Sequence, residues 1–198
     1  MVSTAADTEV SGVSRLKTTP AAILLGTTVH RSVLLHRAAA CGLRSTDDFS
    51  AEAIRRGCHY YAPPGMLPSP SSGKTAAGLS NEDLALCLLH PALPPDPQRI
   101  RLGAAMLAAR ENDPAIVARR AVQERAERIV TYIARAGLSY EPDNSFWPTL
   151  LSLLPACEPI PDGILPHRTR FVALTGRRAP GLPRGPHAEW IRPFPSAA

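Results

Sequence analysis

Two Asp-Pro pairs, Asp96-Pro97 and Asp113-Pro114, each stand at the head of an apolar stretch rich in helix formers. Aspartate accepts bonds from the unpaired N–H groups of a first helical turn, and proline suits the next position because its missing N–H had no partner there. The pairs therefore predict two helix starts in the middle of the chain. The second stretch runs unbroken to Gly137, which predicts one long helix from Asp113. By spacing, Ala118, Val122, Ala126, Ile129 and Ile133 form its buried stripe. Arg120, Glu124, Glu127, Arg128 and Arg135 share the opposite side, with Glu124 and Arg128 a favourable i,i+4 pair.

Other punctuation extends the helical pattern. Ser45 with Asp48, and Ser80 with Asp83, have the three-residue spacing of a capping box, and Gly57 supplies a stop for the first of these helices. A further helix starts around Asn144-Ser145, carries Phe146, Trp147 and Leu150, and ends before Pro155, its two rings plugging the end of the bundle. Gly103, inside the helix opened by Asp96, lets a neighbouring element approach closely. From Thr19-Pro20 the chain reads as a helix running to Cys41-Gly42, with a short strand over Ile23 to Val29 as the other solution.

Composition supports the same class. Of 198 residues 44% are hydrophobic but only 5% aromatic, so a core must be built mainly from Leu, Ile, Val and Ala, which favours packed helices. The predicted fold is mostly α: a small orthogonal or up-down helical bundle with an irregular Pro-rich linker and C-terminal tail. Residues 1–18 read as a mobile arm, 19–61 as a small N-terminal helical unit and 62–79 as a Pro/Ser/Gly linker. Residues 80–155 read as the bundle and 156–198 as an irregular basic tail, since nine of the 21 prolines lie in the last 44 residues, from Pro155 onward.

The net charge of +5 lies in the flanks. Residues 80–154 carry eight basic against nine acidic side chains, so the bundle is a poor phosphate-binding surface. Its arginines, including Arg119 and Arg125, interleave with glutamates as a solvated face. Cys41, Cys58, Cys87 and Cys157 have no Cys-x-x-Cys spacing and read as free thiols in a reducing compartment. His30 and His36, or Cys58 and His59, lack the spacing of a zinc clamp, so no metal or other cofactor is expected. The apolar run from Pro20 is broken by His30-Arg31, and no segment has the length to span a bilayer, which predicts a cytoplasmic protein with no membrane partner.

Ser72-Gly73-Lys74-Thr75 has the end of a phosphate-binding loop, but Pro68 stands where its first glycine belongs. Asp47, Asp48, Glu82 and Asp83 are explained as first-turn carboxylates favoured by the helix dipole. His90 precedes Pro91 at a helix end, and no serine or cysteine has a nucleophile-elbow context, so nothing predicts an enzyme or a small-molecule ligand.

Two basic regions remain as candidates for binding a macromolecule. One is Arg177 and Arg178 in the tail, whose Phe171, Trp190 and Phe194 could order on a partner. The other is Arg44, Arg55 and Arg56: Gly42-Leu43-Arg44-Ser45, followed by Phe49 and Ala53-Ile54-Arg55-Arg56-Gly57, resembles the turn and second helix of small ribbon-helix-helix or helix-turn-helix repressors. The resemblance covers only part of the N-terminal unit. Ile23-Leu24-Leu25-Gly26 is continuously apolar where a ribbon would alternate. The expected function is a non-enzymatic regulatory or scaffolding module that binds a protein partner or a second copy of itself. The alternative is a DNA-binding regulator using residues 29–57.

Overall fold

The computed structural model describes residues 32–62, 78–175 and 187–194. The mobile arm, the strand-or-helix segment before Arg31, most of the linker with Ser72-Gly73-Lys74-Thr75, and Arg177 and Arg178 lie outside them. Among the described residues the protein is a mostly α-helical bundle of seven helices with one two-stranded sheet.

The helices are α1 (Val33–Ala40), α2 (Thr46–Arg55), α3 (Asn81–Leu88), α4 (Pro97–Leu107), α5 (Pro114–Gln123), α6 (Glu127–Tyr140) and α7 (Phe146–Leu153). The starts of α2 to α5 are where the capping residues put them. Both predicted boxes form, Ser45 with Asp48 and Ser80 with Asp83. Asp96 accepts from the N–H groups of Gln98 and Arg99, and Asp113 from that of Ala115, each followed by proline in the first turn. At α7 the Asn144 side-chain Oδ1 accepts from Phe146 N–H at 3.1 Å.

The long helix expected from Asp113 to Gly137 is instead two helices. After Gln123 the chain turns at Arg125, whose φ is 55°, and Ala126 N–H bonds back to Ala121 O at 2.8 Å. This is a left-handed helix ending without the usual glycine, a conformation that costs a side-chain-bearing residue about 1 kcal/mol or more. Tertiary bonds offset that cost. Glu124, expected on the solvent face, turns inward and caps α1, accepting from Leu34 N–H at 2.9 Å and from the Ser32 hydroxyl at 2.5 Å. The expected Glu124–Arg128 pair is thereby replaced: Arg128 donates to the carbonyls of Glu158 and Pro159. Val122, expected in the buried stripe, is 47% exposed, while Ala118, Ala126, Ile129 and Ile133 are buried as expected.

One hydrophobic cluster runs through the described residues, from Leu34 and Phe49 through α3–α6 to Trp190. α3 lies at its centre, with every residue from Leu84 to Leu89 at 0% exposure. α4 packs closely on it because Gly103 has no side chain. A Cβ there would sit 2.7 Å from Leu89 Cγ. Arg99 stitches the same pair together, donating to the Leu88 and Pro94 carbonyls.

The tail is not irregular throughout. A 3₁₀ turn (Arg168–Phe171) leads into β1 (Val172–Thr175), which pairs antiparallel with β2 (His187–Trp190), Val172 opposite Trp190. Phe171 and Trp190, expected to await a partner, are 1% and 2% exposed because the bundle itself covers them. The Trp190 ring lies 5.0 Å from Trp147 and 5.5 Å from Phe171. Arg192 fastens the segment by donating to both oxygens of Glu141, which also accepts from Trp147 Nε1 at 3.0 Å. Burial pushes the Glu141 carboxyl up, but the bonds from Arg192, Trp147 and Asn144 outweigh it and hold the group below its ordinary range.

Trp147 sits flat against α6 at Gly137, where a Cβ would meet three ring atoms at less than the 3.0 Å that real contacts allow. Gly137→Ala is therefore expected to destabilise the fold by about 1–3 kcal/mol through overpacking, although alanine is the better helix former. Urea unfolding followed by tryptophan fluorescence checks this, and unchanged or raised stability would contradict the packing.

Candidate functional site

Two surface depressions are built from side chains far apart in the chain. The first lies between α1, α3 and α5, with a volume of about 380 Å³, lined by Leu34, Arg37, Asp83, Arg120 and Glu124. Its charges satisfy one another. Asp83, beyond closing its capping box, takes an ion pair from Arg37 at 3.3 Å and a second from Arg120, which also donates to the Ser80 hydroxyl. Glu124 caps α1 and faces the buried His90 Nε2 at 3.3 Å. His90 Nδ1 accepts from Ala92 N–H at 3.1 Å, so the ring proton sits on Nε2, toward the carboxylate. Such a network holds α1 on the bundle and leaves little to bind anything else.

The second depression has the opposite character. α2 ends at Gly57, whose φ of 103° lets the chain turn back, and Gly57 O accepts from Phe194 N–H at 3.0 Å. A side chain at Gly57 would strike the Phe194 backbone. The 3₁₀ turn His59–Tyr61 that follows points its two tyrosines in different directions. Tyr61 is 7% exposed, donates its hydroxyl to Arg170 O at 2.8 Å, and accepts at its carbonyl from the Gln98 side chain. Burial pushes its phenol pKa up, so it stays a neutral donor. Tyr60 is 58% exposed.

Beside them Arg101, on α4, holds its guanidinium 5.7 Å above the Tyr61 ring and anchors Nε on Pro97 O at 3.1 Å. Arg170 and Thr169 come from the second 3₁₀ turn, and Val172 from β1. Together these enclose about 340 Å³ open to solvent. Among the described residues neither Arg101 nor Arg170 has an acidic partner within ion-pair distance. Asp96, close by in sequence, is committed to capping α4. The depression thus offers two cationic groups and an exposed aromatic ring. Phe194, 62% exposed, stacks on His59, the residue before Tyr60.

Of the arginines expected to bind, the described Arg44, Arg55 and Arg56 are not brought together. Arg44 is exposed at the start of α2, next to exposed Asp47 and to Asp48. The N–H groups of Arg44 and Ser45 and the Ser45 hydroxyl hold the Asp48 carboxyl below its ordinary range, so the front of this helix carries negative charge. Arg55 and Arg56, at the other end, both pair with the buried Glu52, and Arg56 also donates to Asn81 Oδ1 and Leu79 O. They join α2 to α3. Arg120, assigned to a solvated face, likewise ties α5 to α3. No local pattern announced the Tyr60 depression, because its members come from residues 60–62, 98–101 and 169–172.

Nucleophilic chemistry finds no support at the thiols. Burial pushes the Cys58 thiol up to about 12 and the Cys87 thiol higher still, the latter helped by the carboxylates of Asp83 and Glu124. All four cysteines are free, with Cys41 and Cys157 half-buried. Titration with a disulfide reagent is expected to label those two in the folded protein and Cys58 and Cys87 only after guanidinium unfolding. Rapid labelling of all four would contradict the burial. Among the described residues no group of three or more His, Cys, Asp or Glu could hold a metal, and no helix is long and apolar enough to cross a membrane.

Fold and site define a helical-bundle protein that presents an arginine–tyrosine depression. Comparison of the chain with protein-family models, curated proteins and solved structures finds no match.

Proposed function

We propose that this is a non-enzymatic regulatory or scaffolding module that binds another protein, and that the surface around Tyr60, Arg101 and Arg170 is its contact face. The observation that carries the reading is an exposed tyrosine beside two arginines that have no acidic partner among the described residues. Tyrosine and arginine are the side chains that most often dominate binding energy: they bring large area and several donors at modest entropic cost. Four free cysteines support a reducing compartment, the cytoplasm, as its setting.

The alternative of a DNA-binding regulator using residues 29–57 has less support. Residues 29–31 lie outside the described residues, Arg55 and Arg56 are engaged by Glu52, and the front of α2 carries Asp47 and Asp48 where phosphates would approach.

The test is capture of partners from a lysate of the source cells by the intact protein and by a Tyr60→Ala, Arg101→Ala variant with an unchanged melting curve. A stoichiometric partner is expected to be retained at least about tenfold less by the variant. Equal retention sinks the assignment of the face. Salt-sensitive binding of mixed duplex DNA that Arg44→Glu abolishes would favour the alternative.

A further inference from the structure

We propose that the Tyr60 depression receives an extended acidic peptide, which adds to the outer edge of β1 and places a carboxylate against Arg101 and Arg170. The proposal rests on the protein-binding reading above and specifies its chemistry.

The ladder fixes which backbone groups are available. Ile191 N–H bonds to Phe171 O at 3.0 Å, so residues 171 and 191 form a hydrogen-bonded pair. Antiparallel pairs alternate, and with Val172 opposite Trp190 and Leu174 opposite Ala188, the N–H and C=O groups of Val172 and Leu174 point away from β2. Among the described residues the sheet has two strands, and no backbone hydrogen bond reaches Val172 or Leu174 from that side. A strand laid there would find two donors and two acceptors already in register.

Charge selects what that strand carries. Val172 lines the depression together with Arg101 and Arg170, so a peptide along β1 passes both guanidinium groups. Glu189, the acidic residue of the hairpin, is paired with Ala173 and therefore lies on the sheet face opposite to Val172 and Leu174. Leu174, 73% exposed, adds an apolar contact on the binding face. A basic peptide would meet like charge there. A phosphate-bearing strand would meet only two cations in a short depression, and an edge of unpaired amide groups suits a peptide better than a nucleic-acid backbone.

The probe is a fluorescein-labelled octapeptide of alternating glutamate and valine, titrated by anisotropy against the full chain at low and moderate salt. Comparison ligands are the lysine–valine octapeptide and single-stranded DNA of mixed sequence. Arg101→Glu and Arg170→Glu are each expected to weaken the acidic peptide at least about tenfold, and higher salt to weaken it further. Leu174→Pro, which removes one outward N–H without breaking a bond to β2, is expected to weaken it severalfold. Circular-dichroism melting of every variant confirms that it is folded.

Binding that survives both charge reversals, or equal binding of the lysine peptide, overturns the proposal. Tighter binding of DNA that displaces the acidic peptide overturns it in favour of nucleic acid. Loss on charge reversal but not in Leu174→Pro overturns strand addition while keeping acidic recognition. If the octapeptide fails to bind yet partner capture still depends on Tyr60 and Arg101, the peptide mode falls and the contact face stands. If neither depends on them, both fall.

Discussion

Replacing Trp190 by alanine is expected to destabilise the protein by about 3–5 kcal/mol, lowering the melting temperature by on the order of 10 °C. The indole is 2% exposed and lies between the rings of Trp147 and Phe171, so truncation opens a cavity lined by two aromatics that cannot collapse onto each other. It also removes the Nε1–H that bonds to Ala104 O at 3.3 Å, on a helix 86 residues away in the chain. Aromatic pairs of this kind add about 0.5–1.5 kcal/mol beyond the area they bury. Thermal unfolding followed by far-ultraviolet circular dichroism gives the measurement. A loss below about 1 kcal/mol would mean that the hairpin only drapes over the bundle.

The second large effect is expected at Glu124. Glu124→Ala removes the acceptor for Leu34 N–H and the Ser32 hydroxyl and the carboxylate facing His90, leaving buried donors without it. Hydrogen bonds to a charged group contribute about 1.5–3 kcal/mol, and stranded donors add to the loss, so about 3 kcal/mol is expected. Glu124→Gln keeps the shape and one acceptor but presents an NH₂ group to donors, so it is expected to recover only part of the loss. The loss should be local in character. Amide exchange across Val33–Ala40 is expected to accelerate more than across Leu84–Leu89, whose residues are wholly buried. Equal acceleration in both segments would show that α1 is not separately latched.

Helix starts were legible because capping is local: Asp96, Asp113, Ser45 and Ser80 each act within three residues. The break after Gln123 was not legible. Glu124, Arg125 and Ala126 are all acceptable inside a helix, and the cause of the break is the binding of Glu124 to Ser32, 92 residues away. Proline content correctly excluded long helices from the tail but could not show that Phe171 and Trp190 fill the space beside Trp147. The Tyr60 depression was invisible for a related reason. Arg101 and Arg170 look like ordinary surface arginines until the hydroxyl of Tyr61 meets Arg170 O across 109 residues.

Those spans bear on how the protein is made. Helices α3 to α7 need only local sequence to begin forming as the chain is synthesised, but Trp147 acquires its Trp190 neighbour only when the hairpin has been added. At elongation rates of about 5–20 residues per second, an emerging chain carries Trp147 without its final covering for roughly 2–9 s. During that interval the nascent protein presents an unfinished aromatic surface to the ribosome exit, to chaperones and to other chains, and a message truncated within that stretch would leave it in that state permanently.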